Sequence, residues 1–219
     1  MIHLYHCVDA RSFRPLWVLE EMRLPYELTV LPFPPRVLAP EYKKLNPLGT
    51  IPLLLDGATR MTESAAIGHY LATRHGPSLL AVDVAEDDYG AFLNWTHFGE
   101  ATLTFPQTLV LRYSLLEPEA HRLPQVADAY AQWFLARLRA IEAALEGRDW
   151  LCAGRFTVAD VSVGYALLLA SFLKLHDQFG PNVTAYWQRL QQREGYQRAR
   201  AAQQRAAEQA GLGPTFGSM

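Results

Sequence analysis

The stretch "IPLLLDGATRMTES", residues 51–64, brings together residue types suited to capturing an amino-acid-like ligand. Pro52 cannot donate to a sheet ladder, so it belongs at the start of a strand, and it holds Ile51 extended. The N–H and C=O of Ile51 can then pair with another extended chain, such as a peptide added as a strand. After the Asp56-Gly57 turn, Glu63 and Ser64 open a helical segment. A helix N-terminus offers N–H groups and partial positive charge to a carboxylate. The Ser64 hydroxyl adds a donor, and the Glu63 carboxylate attracts an ammonium group. Together they suit an α-amino-acid head group. The plainer reading is that Thr62 or Glu63 only caps the helix.

These residues need a frame, and the sequence describes one. "IHLYH" is a short strand, followed by the loop "CVDAR". A helix pattern starts at Ser12, which can cap it, with Pro15 in the first turn and Phe13, Leu16, Trp17 and Leu19 on an apolar side. "PYELTVL" (25–31) alternates like a strand. Residues 32–50 are proline-rich and read as irregular. "PLLLDGATRMT" is a hairpin, and a helix runs from about Ser64 to His75 with Ala65, Ile67, Tyr70 and Leu71 inward. The first half is thus β-α-β, loop, β-β-α. After the linker "GPSLLAVDVAEDD" everything reads helical, over 86–116, 120–146, 157–175, 181–193 and 196–209. Domains at 1–78, α/β, and 86–210, all-α, follow. In "FTVADVSVG" (156–164), Thr157 and Asp160 have capping-box spacing, a structural signal with no chemistry implied.

The bulk numbers narrow the function. The 219 residues are 50% hydrophobic, enough for a substantial core, with 19% charged residues and a net charge of −2. That balance speaks against nucleic acid as a partner. The arginines from Arg189 to Arg205 alternate with Gln, Ala and Glu and read as a solvated helix face. Cys7 and Cys152 sit in no CxxC pair, which favours a reducing compartment. The start "MIHLYHCVDARS" lacks signal-peptide character, and no apolar window approaches the ~20 residues of a membrane span. A cytoplasmic protein that engages no membrane is expected.

Taken in order, the opening strand and helix, "NPLGTIPLL", "ES" before a helix and "FTVAD" in an all-helical second half resemble the cytosolic glutathione transferase family. "ARSFRPLWVLEEMRLPYEL" looks like the first helix of many bacterial members, and the resemblance spans nearly the whole chain. It implies a thioredoxin-like domain that holds glutathione as co-substrate, a helical domain that supplies the second-substrate pocket, and a homodimer with a role in detoxification. It also implies that Pro52 is cis, that Ile51 pairs with the cysteinyl unit of glutathione, and that Glu63 and Ser64 take its γ-glutamyl end. Arg11 and Lys44 are candidates for the glycyl carboxylate. Thr50 stands where several relatives carry a longer polar residue.

Such an enzyme must favour a thiolate, because only the ionised thiol, with a free pKa of about 8.5, is a good nucleophile. Lowering that pKa by two units takes about 2.7 kcal/mol. One hydrogen bond to a charged group supplies roughly 1.5–3 kcal/mol and a helix N-terminus about 0.3–1 more, so one hydroxyl suffices without a metal. Three residues compete for the role, in the order Ser12, Tyr5, Cys7. Ser12 lies where the first helix begins, although many serine-type relatives place the serine where this chain has Asp9 and Ala10. Tyr5 is near the end of the first strand, as in tyrosine-type relatives. Cys7 would instead form a mixed disulfide.

In "LNWTHFGEATLTFPQTLVLRY" (93–113) an aromatic stripe recurs at helical spacing. By resemblance, Phe98, Thr102, Phe105 and Tyr113 line the apolar second-substrate pocket, and Phe216 in the tail is a further candidate to cover the cleft. The function expected is transfer of the glutathione thiolate to an apolar electrophile. A glutathione-dependent peroxidase or disulfide reductase, and a non-catalytic binding protein on the same fold, are the alternatives.

Overall fold

A computed structural model describes residues 1–213; Phe216 lies outside them. Contacts divide the chain into two compact units, Met1–Ser78 together with the chain from Gln191, and Leu79–Leu190.

The first unit is built on four strands, β1 (Ile2–His6), β2 (Tyr26–Val30), β3 (Leu53–Asp56) and β4 (Thr59–Met61), in the order β2-β1-β3-β4. β1 and β2 are parallel, joined through α1 (Phe13–Met22), while β3 runs antiparallel to both β1 and β4. The β3–β4 turn passes through Gly57 at φ 59°, a conformation glycine adopts without strain. α3 (Ser64–Arg74) follows and buries Ala65, Ile67, Leu71 and Ala72; Tyr70 is only half-buried, its hydroxyl donating to Asp56 at 2.9 Å. The proline-rich segment holds more order than its composition suggests, namely α2 (Pro35–Leu38) and a 3-10 turn at Pro40–Lys44. Both are too short to leave a periodic signature.

The second unit contains α4 (Tyr89–His97), α5 (Phe105–Leu111), α6 (Pro124–Ala144), α7 (Val158–Phe172) and α8 (Pro181–Gln191). α7 is apolar nearly all round and almost wholly buried, the mark of a central helix. α4 and α5 are joined by a π-helical segment, Phe98–Thr104, and a second one, Arg112–Leu116, follows α5. Pro106 supplies no N–H to the preceding turn. The buried Thr104 hydroxyl instead donates to the carbonyl of Gly99 at 2.7 Å. Gly99 presses against α7 so closely that a Cβ would lie 2.6 Å from the Ser162 backbone.

The capping box of α7 forms as expected, with Asp160 accepting from the Thr157 N–H at 2.8 Å. The same carboxylate also accepts from the Leu151 N–H and from the Tyr186 hydroxyl. The presumed linker is pinned. Arg155 grips both carboxylate oxygens of Glu86 at 2.7 Å and donates to the carbonyls of Leu79 and Ala81.

Two expectations change at the C-terminus. α9 (Glu194–Gln209) belongs to the first unit, where it packs on α1, so a helical domain over 86–210 claims one helix too many. Its arginines are also not merely solvated. Arg193 forms a two-pronged pair with Glu21, and Arg198 donates to the Glu20 carbonyl at 2.6 Å.

Candidate functional site

The candidate ligand clamp lies in the first unit, where β1 ends, β3 begins, and α1 and α3 have their N-termini. The sheet register sets Tyr5 opposite Leu53, the residue after Pro52, and the Ile51-Pro52 bond is cis. The loop leading into that bond is held by its own polar groups. The Thr50 carbonyl accepts from the Tyr42 hydroxyl at 2.9 Å and from the Asn46 amide at 2.8 Å. Asn46 is buried and its Oδ1 accepts from the Leu48 N–H. Gly49 sits at φ 59°, and a Cβ there would meet Arg36 at 2.7 Å. The "NPLG" signature therefore sets the shape of the turn before any ligand arrives.

α3 starts where expected, with Glu63 exposed at its N-cap in extended conformation and making no capping bond of its own. Ser64 is buried, and its hydroxyl accepts from Nη1 of Arg14 at 2.9 Å. Arg14, on α1, is itself 1% exposed. With its oxygen engaged by a cation, the Ser64 hydroxyl can turn its proton toward an incoming carboxylate, and the guanidinium adds positive charge to that of the helix terminus.

Ser12 departs from expectation. It has helical backbone angles and its side chain caps nothing. It is fully buried, and its hydroxyl accepts from the Cys7 N–H at 3.2 Å and donates to the Cys7 carbonyl at 3.4 Å. The hydroxyl staples the loop and does not serve the helix. Cys7 is also fully buried, and burial pushes its thiol up to about 12, far from the ionised state a reactive cysteine needs. Tyr5 keeps partial exposure, its ring between His3 (4.3 Å, stacked) and Tyr42 (5.6 Å, tilted). Arg11 is half-buried in the β1–α1 loop, and Lys44 is exposed and paired with Glu41.

In the second unit, Leu93, Asn94, His97, Phe98, Ala101 and Thr102 line an open pocket of about 390 Å³. Phe98 and Thr102 both line it. Phe105 and Tyr113 do not line it. Phe105 is more than half exposed, and Tyr113 lies beyond α5 in the second π-helical segment, where the Arg112 guanidinium sits over its ring. His97 and Asn94, both exposed, give the pocket a polar rim that the aromatic pattern did not reveal.

Both halves of the chain match known proteins. Residues 10–74 match the glutathione S-transferase N-terminal domain, and residues 110–194 match the C-terminal domain. Glutathione S-transferase 3 of Schizosaccharomyces pombe is 38% identical over 47% of this chain, although that match spans only 43% of the yeast protein. Glutathione S-transferase GST-4.5 of Xanthomonas campestris is 31% identical, over 72% of this chain and 76% of its own length. Among solved structures, the glutathione transferase URE2P6 of Phanerochaete chrysosporium, in complex with oxidised glutathione, superposes with a TM-score of 0.81 at 26% identity. That match covers 94% of this chain and 97% of the other. The thioredoxin-like sheet and the helical unit are those of the glutathione S-transferases, and the chain belongs to that family.

Proposed function

We propose that this protein is a glutathione transferase that adds the thiolate of glutathione to an apolar electrophile. The observation that carries the reading is the buried Arg14–Ser64 pair at the start of α3, beside the cis Ile51-Pro52 turn. An extended γ-linked tripeptide matches both features. Its γ-glutamyl carboxylate meets Ser64 and the α3 N-terminus, its ammonium group meets Glu63, and its cysteinyl unit pairs with Ile51. The Arg11 side chain answers the glycyl carboxylate. Lys44, tied to Glu41 on the surface, is the secondary candidate.

For the thiol we favour Tyr5 over Ser12. A hydroxyl engaged at both its oxygen and its proton by the Cys7 peptide has to break native bonds before it can stabilise a thiolate. Tyr5 is partly open and stands on the strand that faces the start of β3. Ser12 then shapes the loop. The reductase alternative is weakened by the burial of Cys7, the thiol nearest the clamp in sequence. The second substrate is an apolar molecule taken up by the Phe98–Thr102 pocket, with Phe105 and Tyr113 on its approaches. We also propose a homodimer working in the cytoplasm on detoxification-type substrates, without a metal; among the described residues no helix is long and apolar enough to cross a membrane.

The test is a conjugation assay with glutathione and chlorodinitrobenzene, an activated aryl halide. Thioether formation is expected, with Tyr5→Phe losing more kcat/KM at neutral pH than Ser12→Ala. Tight glutathione binding without conjugation of any of a panel of aryl halides, epoxides and enones would favour a binding protein instead.

A further inference from the structure

The loop between β1 and α1 is gripped from outside by the last helix. Asp9, in the middle of this loop, holds φ at 58°, a left-handed backbone that a non-glycine residue keeps where its surroundings hold it there. The enforcing groups are on α9. The side-chain amide of Gln203 reads both polar parts of Asp9. Its Oε1 accepts from the Asp9 N–H at 3.1 Å, and its Nε2 donates to the Asp9 carboxylate at 2.7 Å. Arg200 donates to the same carboxylate oxygen. Because the Gln203 nitrogen is engaged by Asp9, its oxygen also faces His6, at 3.0 Å from Nε2, so the ring carries its proton on that nitrogen. Asp9, Gln203 and His6 are all buried. One amide group on α9 thus holds both the end of β1 and the loop that follows it.

What this grip controls follows from where the loop lies. Residues 7–12 are the covalent link between the strand that carries Tyr5 and the helix whose Arg14 holds Ser64. The shape of Asp9 sets the spacing between those two ends. A docking contact needs no more than apolar packing, whereas this one specifies the backbone angle of a single residue through both its N–H and its carboxylate.

We propose that Gln203 and Arg200 are positioning residues for the thiol end of the glutathione site, acting through Asp9. The inference rests on the transferase reading given above. Releasing the amide lets Asp9 relax from its left-handed conformation. The end of β1 that carries Tyr5 then shifts relative to the start of α1, and the thiolate loses its best-placed donor. The γ-glutamyl clamp keeps its geometry, because Arg14 ties the start of α1 to Ser64 on α3 and neither that bond nor Ile51 lies in the loop.

The experiment compares wild type and Gln203→Leu in three measurements on the full chain. Calorimetry gives the affinity for S-methylglutathione, which has no ionisable thiol. The pH dependence of kcat/KM gives the thiol pKa in the complex. Hydrogen exchange gives the protection of residues 7–12. In Gln203→Leu, kcat/KM at neutral pH is expected to fall about tenfold, with the pKa of the bound thiol raised by about one unit, since one well-placed hydrogen bond is worth that much. S-methylglutathione affinity is expected to stay within about threefold, and protection of residues 7–12 to drop. Arg200→Gln, on the more exposed side of the grip, is expected to give a smaller shift in the same direction and serves if the first variant folds poorly. Equal loss of kcat/KM at every pH, or a parallel loss of S-methylglutathione affinity, would mean that α9 only supports the fold. If wild type binds neither glutathione nor its S-methyl derivative, the transferase reading itself fails. Loss of loop protection would then remain as a purely structural brace.

Discussion

Replacing Ser64 with alanine removes one oxygen from the site and has two separable consequences. In the unliganded protein it takes away the acceptor that Arg14 uses at 2.9 Å, inside a region where the guanidinium is 1% exposed. A hydrogen bond to a charged group is worth about 1.5–3 kcal/mol. For a chain of this size that lowers the melting temperature by several degrees, at about 2–4 °C per kcal/mol. This loss is the same with or without ligand, so it cancels from the binding comparison. What remains in the affinity is the contact between the Ser64 hydroxyl and the ligand carboxylate, again a hydrogen bond to a charged group. Its removal weakens glutathione binding about tenfold to a hundredfold, at 1.4 kcal/mol per decade. Calorimetric titration and thermal melting on the same preparation separate the two effects. Ser64→Thr, which keeps the hydroxyl, is the control and is expected to bind within a few-fold of wild type. A Ser64→Ala protein that melts several degrees lower yet binds glutathione within threefold of wild type would show that the carboxylate goes elsewhere.

Other perturbations reach the rest of the fold. Asp160→Ala orphans the buried Thr157 and Leu151 N–H groups and the Tyr186 hydroxyl, each worth about 1–3 kcal/mol. Denaturant unfolding is expected to report a loss of about 3 kcal/mol or more with conjugation per folded molecule unchanged, and a loss under 1 kcal/mol would refute the capping role. Burial lowers the pKa of His6 to about 4, against the opposing pull of its bond to Gln203. The unfolded chain therefore binds the extra proton first. The stability that His6 confers is full above about pH 6.5 and is lost as the pH falls toward 4, an effect of about 3 kcal/mol. Wild type should lose stability relative to His6→Gln over that window, and a pH-independent difference between the two would contradict the assignment. The buried Cys7 thiol, pushed up to about 12, is expected to resist iodoacetamide in the native protein and react once the chain is unfolded; rapid native labelling would revive the reductase alternative.

The parts of this protein legible in its sequence are those written in local chemistry. Pro52, the Gly57 turn and the Thr157–Asp160 box each act within a few residues, and each forms where the spacing places it. Ser12 was misread because a serine ahead of a helix looks like a cap whatever the loop behind it does. Here a left-handed Asp9 turns that hydroxyl back to Cys7. Arg14, Gln203 and Arg200 carried no signal, because their partners lie 50, 194 and 191 residues away along the chain. A polar helix such as α9 looks solvated until something charged is packed beneath it, as Glu20, Glu21 and Asp9 are.

The central claim is that the site binds glutathione and holds its sulfur as a thiolate. Titration calorimetry of glutathione near pH 7, repeated in buffers of different ionisation enthalpy, reads affinity and proton release together. The account predicts saturable binding at one site per chain with close to one proton released. Saturable binding with no proton released would contradict thiolate stabilisation and leave a carrier or reductase; no binding at all would remove the ligand clamp of residues 51–64.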